Sequence, residues 1–275
     1  MREEYTVVLE TGHRDKNYWK DIWNYRELFY FLAWRDILVR YKQTAIGVAW
    51  SVLRPLATML VFSIVFGKLA KLPSNGVPYP IMVYAALLPW QFFANSLTES
   101  SNSLIDNSNL LTKIYFPRLI VPAGSIIVSI VDFLISAFIL GGLMVWYRFV
   151  PDVRIVFLPA FFMLAVFASF GAGLWLSALN VKYRDFRHVV PFLVQFGLLV
   201  SPVGFSSAII PERWRFLYFL NPMAGVIDGF RWALLGNAFP VEWSGALLSV
   251  LLTFLIVLSG LLYFRAMERS FADVV

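Results

Sequence analysis

Apolar residues gather into six long runs, roughly residues 46–67, 79–97, 119–147, 155–179, 189–207 and 243–264, separated by short polar stretches. A helix needs about 20 apolar residues to cross the hydrocarbon layer, and the runs are of that order. Inside lipid the backbone must satisfy its own N–H and C=O groups, which favours helices; the ten-residue alternation of a membrane barrel is missing. The pattern predicts an all-α membrane protein with six transmembrane helices.

Residues 25–43 read differently. A helix there puts Arg26, Asp36 and Arg40 on one face and Leu28, Phe31, Leu32, Leu38 and Val39 opposite, with Arg35 and Lys42 interrupting the apolar side. Long basic stems can snorkel, so this is an N-terminal amphipathic interface helix lying along a leaflet, the alternative being a soluble helix on a partner. Residues 1–24 are a polar cytoplasmic segment with Trp19 and Trp23 near its end, and residues 25–275 form one membrane domain.

Three connecting regions carry information. The turn Lys71-Leu72-Pro73-Ser74-Asn75-Gly76 leaves no room for an external domain. Glu99 to Arg118 is rich in Ser and Asn as far as Asn109, then mixes apolar and basic residues before Pro117; it is either a docking element or an ordinary loop. Between Ser201-Pro202 and Pro240, apolar pieces at Ala208–Ile210, Phe216–Leu220 and Met223–Leu235 are too short to cross. They predict short re-entrant external helices between spans five and six.

Composition agrees: 59% of residues are hydrophobic and 15% charged, against roughly 45–50% and 25% in soluble domains. The net charge of +6 is scattered at the ends of the runs, which argues for membrane topology and against nucleic acid. A cytoplasmic N-terminus puts Arg35, Arg40, Lys42, Lys113, Arg118, Lys182, Arg184, Arg187, Arg265 and Arg269 inside, against Lys68, Lys71, Arg148, Arg154, Arg213, Arg215 and Arg231 outside. Both termini are therefore expected in the cytoplasm. No cleavable signal peptide is evident.

Catalytic chemistry finds no foothold. There is no cysteine, and the two histidines, His13 and His188, are not spaced as metal ligands. None of the seven lysines is followed by Ser or Thr, so no phosphate-binding GxxxxGK[ST] loop exists; any ATP must be bound by another chain. A membrane-embedded lipid-modifying enzyme would cluster acids or histidines at one depth, whereas Asp132 stands alone in the third run. A charge there costs a few kcal/mol unless shielded, so Asp132 should face other helices, with Arg54 one possible partner. Aromatic residues make up 17% of the chain, and Tyr84, Trp90, Phe92 and Phe93 in the second run offer flat faces on which a sugar polymer could slide.

Several motifs match a known family in order. Arg35-Asp36, Arg40-Tyr41-Lys42-Gln43-Thr44, Gly47, Trp50 and Pro55 open the series. Pro78-Tyr79-Pro80, Leu88-Pro89-Trp90 and Asn109-Leu110-Leu111-Thr112-Lys113-Ile114-Tyr115-Phe116-Pro117-Arg118 follow, then Asn180-Val181-Lys182-Tyr183-Arg184-Asp185, Leu220-Asn221-Pro222-Met223 and Gly229-Phe230-Arg231. Over about residues 25–270 the chain resembles the permease subunits of polysaccharide-exporting ABC transporters of the type-2 branch.

The resemblance implies a homodimer of permease copies, two separate ABC ATPase subunits that bind ATP and Mg, and location in the cytoplasmic (inner) membrane. It implies export of lipid-linked polysaccharide, O-antigen first, with capsule or teichoic-acid polymer, or a small-molecule exporter of the same branch, as alternatives. Residues 25–43 and about 108–118, centred on Asn109–Arg118, would couple to the ATPase, and Ser207–Pro240 would close the exit. An anionic polyprenyl pyrophosphate head would need cations at the cytoplasmic entrance, for which Arg35, Arg40, Lys42 and Arg54 are candidates; Tyr84, Trp90, Phe92 and Phe93 are candidate passage residues. Either Lys113 or Arg118 changed to Glu is expected to uncouple hydrolysis from export.

Overall fold

The computed structural model describes residues 18–42, 47–183, 185–268 and 271, and no strand occurs among them. Expectations resting on residues 1–17, on Gln43 and Thr44, and on Arg184 and Arg269 lie outside the described residues. The helices are α1 (Tyr18–Asn24), α2 (Arg26–Lys42), α3 (Gly47–Phe62), α4 (Tyr79–Asp106), α5 (Ser108–Lys113) and α6 (Ile120–Trp146). They continue with α7 (Leu158–Lys182), α8 (Phe186–Val200), α9 (Glu212–Tyr218), α10 (Pro222–Leu235) and α11 (Trp243–Met267).

α3 runs on into a π-helical stretch, Ser63–Leu69, before the turn in which Gly76 takes φ 82°. α4, α7 and α11 run one way and α6 the other, with α4 packed on both α6 and α7, and α7 on α11. Two hydrophobic cores result. One joins the C-terminal parts of α4, α7 and α11 to the start of α6 and to Tyr18 and Leu32; this is the terminal end of the bundle. The other joins the opposite parts of α4, α6 and α7 to α10, at what is here the far end.

Among the described residues, four helical stretches are long and apolar enough to cross a membrane: Ala49–Leu69, Ile120–Trp146, Val153–Lys182 and Trp243–Met267. The other two expected crossings differ. α8 has 15 residues, about 22 Å at 1.5 Å per residue. α4 has 28 residues but is polar in its second half, continuing nine residues past the expected end at Leu97. The hydroxyls of this half fold back on the helix and so find partners without solvent: Thr98 Oγ1 donates to the Ala94 carbonyl, Ser101 Oγ to Thr98 and Ser103 Oγ to Ser100, each at 2.8 Å. Burial of Ser101 and Ser103 then becomes tolerable.

Helix contact within the bundle relies on small residues. A Cβ on Gly171 of α7 would stand 2.7 Å from the Val257 Cα of α11, and one on Gly260 would stand 2.5 Å from the Gly171 carbonyl oxygen. Lipid provides no hydrophobic drive between helices, so close backbone approach supplies the attraction. The short apolar pieces at the far end form a 3-10 turn at Ser207–Ile209, then α9 and α10, capped by Asn221, whose side chain accepts from the Met223 N–H at 3.0 Å.

Candidate functional site

Asp132 sits on the inward face of α6 with Ser129 and Ser136, one turn to either side and also buried. α2 ends against this face. Its Tyr41 hydroxyl donates to Asp132 Oδ1 at 2.5 Å, Ser51 of α3 donates to the same oxygen at 2.9 Å, and Arg40 Nη2 lies 2.7 Å from Oδ2. Arg40 Nη1 also donates to Glu99 Oε1 of α4 at 3.0 Å. Arg40, not Arg54, is therefore the partner of Asp132. α2 folds back across α6, a depth match that spacing within α3 could not reveal. Burial, and then the Asp132 acceptor, push the Tyr41 phenol above its ordinary range.

Beside this cluster opens a cleft of about 280 Å³ between α3, α4 and α6. Trp50, Phe92 and Phe133 give it aromatic faces, Gln91 and Asn95 give it amides, and Arg54 gives it a cation. Arg54 is exposed and makes no ion pair among the described residues, whereas Arg40 is held between two carboxylates. Aromatic faces, amides and a guanidinium are the chemistry that sugars and phosphates accept.

The candidate residues divide on this geometry. Arg40, Arg54 and Phe92 meet at the cleft, Phe92 also packing on Phe162 and Phe133 with ring centres 4.9 and 5.9 Å away. Arg35 lies elsewhere, bound to Asp36 Oδ1 at 2.7 Å and to Asn107 Oδ1 at 2.7 Å. Lys42 is exposed beside an apolar groove with Phe31, Trp34, Leu38 and Val39. Tyr84 is fully buried in the far-end core, Trp90 is buried against Gly197, and Phe93 is half-buried 5.7 Å from the Trp90 ring.

The segment Asn109–Arg118 has two sides. Asn109, Thr112, Lys113, Ile114 and Tyr115 are exposed; Leu111, Phe116 and Pro117 are buried; Leu110 and Arg118 are half-buried. Ile114 leaves helical geometry, with φ −131° and ψ 133°, so α5 ends in a projecting tip. Arg118 turns inward. Its N–H donates to Glu268 Oε1 at 2.8 Å, its Nη1 donates to the Glu268 carbonyl, and its guanidinium lies 6.0 Å from the Phe271 ring centre. Burial raises the Glu268 carboxyl above its ordinary range, opposed by the Arg118 N–H and the Tyr18 hydroxyl. Tyr18 and Glu268 escaped the sequence reading, and the one hint was an acid four residues past the last apolar run.

At the far end Arg231, counted from its sequence position as an external charge, is wholly buried. It donates to three carbonyls: Met82 at 3.3 Å, Phe205 at 2.6 Å and Val203 at 2.8 Å. The planar guanidinium thus fastens α10 to α4 and to the loop after α8, with Asp228 buried one turn away.

No metal-binding cluster is found among the described residues. Helices able to cross a membrane, around a cleft that mixes aromatic, amide and charged side chains, describe an integral membrane domain. Residues 27–235 match the ABC-2 type transporter family, and the chain belongs to it. It is similar to the O-antigen export system permease protein RfbA of Klebsiella pneumoniae, at 25% identity over 90% of this chain and 95% of that protein. RfbA of Myxococcus xanthus is 27% identical over 77% of this chain and 82% of its own length. The polysialic acid transport protein KpsM of Escherichia coli is 24% identical over 86% and 92%. The resemblance drawn from the motifs is borne out by these relatives.

Proposed function

We propose that this chain is the membrane permease of an ABC exporter that carries lipid-linked polysaccharide, most directly O-antigen, across the inner membrane. The observation that carries the reading is similarity along 90% and 77% of the chain to two permeases named for O-antigen export. In this reading the chain is a transport subunit and not an enzyme, and works as a homodimer. ATP and Mg bind to two partner ATPase subunits, and the terminal end of the bundle faces the cytoplasm.

The six-span arrangement rests on letting α4 and α8 cross beside the four apolar helical stretches. α2 then lies along the cytoplasmic leaflet, its exposed Phe31, Trp34, Leu38 and Val39 in lipid. The exposed tip around Lys113–Tyr115 meets the ATPase. The cleft beside Arg54 receives the anionic head of the lipid carrier at the cytoplasmic side, and α9 and α10 close the exit.

Deleting the gene and fractionating glycans tests this. Full-length polymer trapped on the cytoplasmic face and missing from the surface supports it; a normal surface polymer sinks it. The likeness to KpsM favours a second reading in which the cargo is capsular, and the identity of the trapped polymer separates the two.

A further inference from the structure

The far-end boundary of the membrane falls where α9 meets the start of α11. α11 opens with Trp243, which is exposed, and a tryptophan at the end of a crossing helix sits at headgroup depth. α9 carries exposed Trp214, Phe216 and Leu217 beside Glu212, Arg213 and Arg215, the make-up of a helix lying in the interface. Between the two helices opens a cleft of about 340 Å³.

Its walls are charged. Arg215 Nη1 lies 3.3 Å from Glu242 Oε2, Arg215 Nε donates to the Ile210 carbonyl at 3.3 Å, and Ser244 Oγ donates to Glu242 Oε1 at 3.3 Å. The guanidinium is thus held in place with Nη2 unpartnered among the described residues. Glu212 also lines the cleft, is exposed, and makes no ion pair among the described residues; Arg213 beside it lies over the Trp214 ring, 5.8 Å from its centre. The cleft therefore combines a neutral ion pair with one uncompensated carboxylate.

The floor is apolar. The Phe219 ring covers Gly245, where a Cβ would stand 2.6 Å from three ring carbons, and Leu248 follows three residues on. From Leu248, the exposed Leu251, Leu255, Leu258 and Leu262 continue at helical spacing in one stripe along α11.

A ligand for this cleft needs N–H donors on a cation for Glu212, an anion for the open edge of Arg215, and an apolar tail for the leucine stripe. We propose that the cleft binds a zwitterionic phospholipid with a primary ammonium headgroup, drawn from the leaflet at the far end. The phosphate accepts from Arg215, the ammonium donates to Glu212 and Glu242, and an acyl chain lies along the stripe. An anionic lipid brings no cation to Glu212, and a choline headgroup has no N–H to donate, so both are held less well. The site stands whatever cargo the exporter carries.

The test offers the full chain, purified in detergent, an equimolar mixture of phosphatidylethanolamine, phosphatidylcholine and phosphatidylglycerol with identical acyl chains, and reads the retained lipid by native mass spectrometry. Phosphatidylethanolamine should exceed each of the others roughly fivefold, the scale of one exposed charge-assisted contact. In Glu212→Gln the excess should fall to within about twofold, while thermal unfolding in lipid-free detergent stays that of the parent. Equal retention of the three lipids by the parent, a preference for phosphatidylglycerol, or an undiminished excess in Glu212→Gln each overturns the proposal. So does a parent dimer that dissociates in Glu212→Gln, which would make the cleft an interface between copies of this chain.

Discussion

The Arg40 guanidinium and the Asp132 carboxylate stand 2.7 Å apart and join α2 to the interior of α6. Glu99 takes the other side of the guanidinium, so Arg40 connects three helices and brings its charge into the bundle already compensated. The cation left available to the cleft is Arg54, which meets no carboxylate among the described residues.

Removing Asp132 should therefore loosen α2 without emptying the cleft. Asp132→Ala leaves Tyr41 and Ser51 without their acceptor and Arg40 with Glu99 alone. Because Arg40 is partly exposed, the expected loss is about 2 kcal/mol, below that of a fully buried pair. Asp132→Asn keeps an acceptor and should lose less. Denaturant unfolding of the purified protein in detergent checks the order of the variants, and equal stability of Asp132→Ala and the parent rules out the α2 anchor.

Arg54→Ala should do the reverse. Its side chain lies exposed at the cleft, so folding should be unchanged while surface polymer falls roughly tenfold, the effect of losing one charge-assisted contact to an anionic head. Arg54→Lys should recover part of that loss. Pulse-labelled glycan appearing at the surface is the measurement, and parental rates in Arg54→Ala remove Arg54 from substrate binding.

Much of this architecture was legible because lipid imposes a simple rule on the chain. The ends of α6 and α11 fall within a few residues of the expected runs, and the short pieces after Pro202 fold as helices too short to cross. Asp132 was legible as a residue that must face protein. Its partner was not, since pairing depends on how α2 lies over α6, and depth along separate helices is absent from a linear pattern. The second half of α4 hid for another reason: Ser and Asn look like loop residues until their side chains are seen bonding to their own helix. Arg118 and Lys113 looked equivalent, five residues apart in one basic segment, although the structure turns one inward and the other outward.

That difference separates two substitutions. Lys113→Glu reverses an exposed charge at the tip and should weaken ATPase association while leaving the isolated chain as stable as before. Arg118→Glu places a carboxylate beside Glu268 and abandons the Glu268 carbonyl, so the chain itself should lose about 2 kcal/mol or more. Copurification of the ATPase and thermal unfolding of the permease alone distinguish the two. Matching profiles for the variants would mean that both side chains do the same work.

The contact between α7 and α11 gives the most direct test of the packing. Gly171 has Val257 backbone where a Cβ would go, and backbone cannot rotate away as a side chain can. Gly171→Ala must push the helices apart along their length, including the nearby Trp175 Nε1 donation to Ser259 Oγ at 3.1 Å, at an expected cost of about 2–3 kcal/mol. Gly142→Ala on α6 is the control, because a Cβ there meets nothing within 4 Å and helix propensity alone should make it neutral or slightly stabilising. Thermal unfolding of both variants in the same detergent decides the matter: a large drop confined to Gly171→Ala means that backbone contact holds α7 to α11, and equal melting temperatures mean that lipid and side chains hold them instead.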